Sequence, residues 1–107
     1  MQYTSDVRIE ITPSARQHGI ADDEIRAVVE YPALRVVLTA RRVGTRPVLH
    51  IGPAVERGPF IEVIVDIVDI VDPMIAVAFH AMMLRKSLVT NLGIEHLVVP
   101  SYGTQRS

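Results

Sequence analysis

The chain has 107 residues, 11 Lys plus Arg against 12 Asp plus Glu, a formal net charge of −1 and no cysteine. That length accommodates one domain, and 49% apolar with 21% charged residues is globular composition, outside the disordered range. The lack of cysteine excludes a disulfide framework or thiolate metal cluster. Met1 to Asp6 has no signal-peptide pattern, and the longest apolar run, Met74–Phe79, falls far short of the roughly 20 residues that span a bilayer; a soluble cytoplasmic domain is expected.

In chain order, Val7, Ile9 and Ile11 alternate with Arg8 and Glu10 and predict a half-buried strand. Thr12-Pro13 opens a short helix, an N-cap residue with proline at the first helical position, running to about Gln17 or His18 before Gly19 stops it. Asp22, Asp23 and Glu24 favour a second helix start, because carboxylates offset the positive end of the helix dipole. Ile25, Val28 and Val29 supply that helix's apolar stripe, and Tyr31-Pro32 ends it. Strands are predicted over Leu34–Thr39, Val48–Gly52 and Phe60 to about Val68, with a Gly44 turn in Arg41–Thr45 and a loop over Pro53–Pro59.

The IVDIVDIVD segment, Ile64–Asp72, repeats every three residues, which fits neither strand alternation nor one helix face cleanly. A hairpin turn near Asp69–Pro73 resolves this, with the aspartates at or beside the turn and Met74 to about His80 returning as a strand. Leu84, Leu88 and Leu92, with Val89, then mark one face of a last helix capped by Asn91 or Gly93. Ser101–Ser107 is polar and expected to fray. The predicted class is α+β: a compact single domain of order β-α-α-β-β-β-β-α with a small, mostly antiparallel sheet.

Charge is unevenly distributed. Ten arginines stand against the single Lys86, and Arg35, Arg41, Arg42, Arg46 and Arg57 face only Glu56 between positions 35 and 57. Glu62, Asp66, Asp69 and Asp72 then follow without a base. The arginine block is either a surface for RNA phosphates or for an acidic partner, or simply the wet face of alternating strands. With 5% aromatics and no Trp, base-stacking platforms are scarce.

His18, His50, His80 and His96 have no metal-ligand spacing, and no phosphate loop or nucleophile elbow is present, so neither metal nor cofactor is expected. His80 ends an apolar strand and precedes Arg85 and Lys86 by five and six residues. An imidazole beside fixed cations suits phosphodiester cleavage by the 2′-hydroxyl: the base removes the proton and the cations stabilise the charge growing on the phosphorane. The residues equally fit a hydrogen-bonded strand-end histidine beside the exposed face of a helix.

Ser14-Ala15-Arg16-Gln17-His18-Gly19-Ile20 with its acidic helix start resembles the opening of BrnT-type ribonuclease toxins, in an actinobacterial variant. Leu49-His50-Ile51-Gly52-Pro53, Ile61-Glu62-Val63-Ile64 and Phe79-His80-Ala81-Met82 with Arg85 are similar to later motifs of that family, so the likeness covers roughly residues 7 to 90. It implies a RelE-like fold and the endoribonuclease toxin of a type II toxin–antitoxin pair, held inactive by a small DNA-binding antitoxin. His80, Arg85 and His18 match motif positions. The family's arginine before the third strand falls on Pro47, with Arg46 one place off, and Lys86 has no counterpart.

The expected function is metal-independent RNA cleavage, with His80, Arg85 and Lys86 catalytic and Arg46, His50, His18, Arg41 and Arg42 positioning RNA. The alternatives are a non-catalytic module docking a partner protein through its basic strands, and a ligand-binding homodimer formed through an exposed strand edge.

Overall fold

The computed structural model describes residues 7–69 and 74–106. Five strands form one mixed sheet in the order β1-β5-β4-β3-β2: β1 (Val7–Ile11), β2 (Leu34–Val37), β3 (Pro47–Pro53), β4 (Phe60–Asp69) and β5 (Met74–Met83). Three neighbouring pairs are antiparallel and β1 runs parallel to β5, from Val7 opposite Met74 to Ile11 opposite Ala78. A 3-10 helix (Pro13–Arg16), α1 (Asp22–Glu30) and α2 (Lys86–Leu92) complete the expected order in an α+β domain.

The two faces of the sheet carry separate cores. Ile61, Val63, Val65 and Ile67 of β4 join Val48, Ala76, Ala78, Ala81 and Met83 beneath Ala15, Ile25, Val28 and Val29. On the other face Leu49 and Ile51 meet Leu84, Val89 and Ile94, with Leu34, Val36, Phe60 and Ile64 packed around them. β4 therefore buries both faces, which is why its β-branched residues run on without polar alternation. Chain direction places α1 on the first face: β1 and β2 are opposite edges, and the connection between them crosses over β3 and β4.

The predicted hairpin turn lies partly at 70–73, outside the described residues, as do Met1–Asp6. Asp66 does not sit at a turn: it is inside β4, opposite Pro47 and Val77. The period-three pattern is accommodated by a register shift against β5 between Ile67 and Asp69, which leaves Val68 half exposed. A second shift, between Ile64 and Val65, makes Phe79 the extra residue on β5. That bulge puts Ala78 on the α1 face and His80 on the opposite face although they are two residues apart. β5 also runs three residues beyond His80, and Leu84 precedes α2 instead of belonging to it. β2 is shorter than expected, ending at Val37. Gly93 ends α2 in the left-handed conformation, φ 66°.

Residues 101–106 are docked on the domain instead of frayed. The Phe60 N–H donates to the Ser101 carbonyl at 2.7 Å and the Gln105 amide to the Met83 carbonyl at 2.8 Å. Arg106 grips both oxygens of Glu24 at the start of α1 and reaches the Gly19 carbonyl. At Gly103 a Cβ would lie 2.8 Å from both Met83 Cε and Pro59 Cβ, so this residue permits the close approach of the strap. Its polar composition suggested fraying because its attachments are hydrogen bonds to backbone and carboxylate, which leave no apolar pattern. No helix among the described residues is long and apolar enough to cross a membrane.

Candidate active site

Glu62 organises the corner where β4, β5 and the start of α2 meet. It shares the α2-side face of β4 with Phe60 and Ile64 and is 0% exposed. His80 pairs with Ile64 and Met82 with Glu62, so the His80 ring lies diagonally across the strands from the carboxylate on the same face. Its Nε2 donates to Glu62 Oε2 at 2.8 Å. Beyond β5, Leu84 turns into the core with its N–H on the Phe60 carbonyl, which brings Arg85 back over β4. Arg85 gives Glu62 three hydrogen bonds: backbone N–H to Oε1 at 2.9 Å, Nε to Oε1 at 3.1 Å and Nη2 to Oε2 at 2.8 Å.

Burial pushes the Glu62 carboxyl up, but the bonds from His80 and Arg85 outweigh it and hold the group below the usual carboxylate range. Glu62 in turn raises the Arg85 guanidinium above its ordinary value, against a smaller effect of burial. An ionised carboxylate only accepts hydrogen bonds, so the shared proton resides on Nε2 and a neutral His80 ring carries its basic lone pair on Nδ1. No hydrogen bond to His80 Nδ1 or Arg85 Nη1 occurs among the described residues. The His80 side chain is 24% exposed and that of Arg85 42%, so both reach solvent around a sealed carboxylate.

His18 lies beside this corner, its ring centroid 6.2 Å from that of His80 in an edge-on arrangement. The 3-10 helix carries it there: the Thr12 N–H donates to the Ala78 carbonyl and Ser14 Oγ to the Phe79 carbonyl, tying the segment to the bulged part of β5. Gly19 then turns the chain away with φ 75°.

Apart from Lys86, which follows Arg85 at the start of α2, the other residues singled out from the sequence lie elsewhere. His50 is 1% exposed on the α1 side of β3, with Nδ1 3.3 Å from the Val48 carbonyl. Burial, with help from the Arg35 charge, pushes its pKa down to about 4. The expectation that His50 contacts RNA is therefore corrected: a sealed neutral imidazole offers nothing to a phosphate. Arg41, Arg42 and Arg46 are exposed in and beside the 38–46 loop. Its end is tied to β4 through the Arg46 N–H on Asp66 Oδ1 at 2.7 Å and Arg46 Nε on the Ile67 carbonyl. Asp66 is four residues from Glu62, about 13 Å along the strand, so these arginines form a separate group from His80. The basic block and the acidic strand end, which follow one another as separate runs in the sequence, meet here. Lys86 opens α2 exposed, with no ion pair among the described residues.

Sequence reasoning placed Glu62 in an acidic run and in a family-like strand motif but gave it no role in the site. The signal was its place between Ile61 and Val63 in the most β-branched stretch of the chain, where a lone carboxylate must find donors. Among the described residues no cluster of three His, Asp or Glu is placed to hold a metal ion. No family model, curated protein or solved structure matches this chain.

Proposed function

We propose that the protein is a metal-independent endoribonuclease of RelE/BrnT-like type, the toxin of a type II toxin–antitoxin pair. The observation that carries this reading is Glu62, sealed from solvent and holding His80 and Arg85 on adjacent edges of one carboxylate. Such a group fixes the imidazole tautomer and orientation and leaves Nδ1 to take a proton. Arg85 Nη1 and Lys86 supply positive charge for the phosphorane, and His18 contacts the RNA. The resemblance of residues 14–20 and 79–85 to the toxin family supports the same reading. Its partner is a small antitoxin, and its site of action the cytoplasm.

The test is cleavage of a labelled RNA oligonucleotide by purified protein in excess EDTA. Products ending in a 2′,3′-cyclic phosphate are expected, and a His80→Gln variant, which keeps a donor for Glu62, loses at least ~100-fold in rate. Equal rates for the two proteins, or intact RNA in both, would overturn the reading. A second reading, a non-catalytic module, draws on the three Arg85 bonds that largely neutralise the corner. It predicts uncut RNA and a partner protein released by Arg41→Glu, Arg42→Glu.

A further inference from the structure

We infer that His18 is the second proton-transfer group of the site, the acid that complements His80. The inference rests on the reading of the protein as a ribonuclease and names what that reading leaves open: which group protonates the leaving oxygen. An arginine cannot do so at neutral pH, because its guanidinium does not release a proton. Arg85 is held still more firmly in its charged form by Glu62.

The geometry supplies a candidate. His18 is half-buried and its ring faces His80 at 6.2 Å between centroids, a spacing that lets two imidazoles address the entering and leaving oxygens of one phosphodiester. Its backbone is anchored on both sides. Thr12 and Ser14 bond to β5 before it, and Arg106 holds the Gly19 carbonyl after it. Neighbouring charges are already committed, Arg16 to Asp22 and Arg106 to Glu24. No ion pair involves His18 itself among the described residues. Their hydrogen bonding assigns the roles. His80 has Nε2 committed to the Glu62 carboxylate and keeps Nδ1 as its acceptor, which suits the base; His18 has no carboxylate partner among the described residues and addresses the opposite oxygen, which suits the acid.

The step balances. His80 Nδ1 accepts the 2′-hydroxyl proton, the O2′–P bond forms, the P–O5′ bond breaks, and O5′ takes the proton of His18. A 2′,3′-cyclic phosphate and a 5′-hydroxyl result, and proton exchange with water resets the two rings. The substrate is RNA and not DNA, because the nucleophile is the 2′-hydroxyl.

The experiment compares two substrates with wild type, His18→Ala and His18→Asn, each checked for unchanged thermal unfolding. One is an oligoribonucleotide, whose alkoxide leaving group needs an acid; the other is uridine 3′-(4-nitrophenyl phosphate), whose nitrophenolate leaves without one. Both variants are expected to cut the oligonucleotide at least ~100-fold more slowly and the nitrophenyl ester less than ~10-fold more slowly. Equal losses on the two substrates would make His18 a positioning residue, and unchanged rates would remove it from the site; either overturns the inference while ribonuclease activity stands. A wild type that cleaves neither substrate overturns the ribonuclease reading, and this inference with it.

Discussion

β4 carries two carboxylates four residues apart on one face, and the structure treats them differently. Glu62, mid-sheet beneath the start of α2, is sealed and receives four hydrogen bonds from two side chains and one backbone N–H. Asp66, toward the end of the strand, is half-buried and accepts the Arg46 N–H, so that it fastens a loop to the sheet. Depth decides the outcome. A carboxylate removed from water needs charged donors to stay ionised, whereas one at the rim is served by a backbone amide and solvent.

The sharpest way to break this contrast is to remove the arginine at each end. Arg85→Ala leaves a buried carboxylate without its charge partner and is expected to cost about 3–4 kcal/mol in urea unfolding. Arg46→Ala keeps the backbone N–H on Asp66 and loses only the Nε bond to the Ile67 carbonyl, so it is expected to cost under about 1 kcal/mol. Similar losses would mean that burial does not distinguish the two ends.

Acid unfolding separates Glu62 from His50, the other buried titratable group among the described residues. With its pKa lowered to about 4 from 6.5, His50 stays neutral in the fold while the unfolded chain takes up a proton. Stability therefore falls as pH drops from 6.5 to about 4, by an amount approaching ~3 kcal/mol. His50→Leu should flatten that slope. Glu62 acts in a lower window: its contribution is complete above about 4.5 and is lost as pH falls through its depressed folded-state value.

Glu62→Gln keeps the volume but turns an amide donor toward Arg85 or His80, for an expected loss of about 2 kcal/mol. Asp66→Asn should lose less than about 1 kcal/mol, measured in the same titration. The smallest effect is expected at the strap, where Arg106→Ala removes a partly exposed surface ion pair and should cost about 0.5 kcal/mol.

Much of the fold was legible because its signals are local. Thr12-Pro13, Tyr31-Pro32 and Gly93 punctuate helices through backbone restrictions that hold in any context. The alternation of β1 and the β-branched run of β4 likewise identify strands without reference to the rest of the chain. The Phe79 bulge, the docked strap and the burial of His50 have no such local mark. Each depends on which element lies across the sheet: the 3-10 helix and β1 beside β5, Pro59 and Met83 beneath Gly103, and α1 above β3.

The candidate site divides along the same line. His80 and Arg85 were identifiable from residue type and their spacing of five, because an imidazole and a guanidinium around a strand-to-helix corner are a chemical pattern visible in one dimension. Their joint use of Glu62, 18 and 23 residues away, was decided by the tertiary structure. So was the meeting of His18 with His80 across 62 positions of chain. By itself the sequence determined the class, the order of elements and the near-neutral sum of charge. Only the packed sheet decided which charges cancel and which stay organised, because strand register and burial, not spacing along the chain, set the distances and the dielectric in which those charges act.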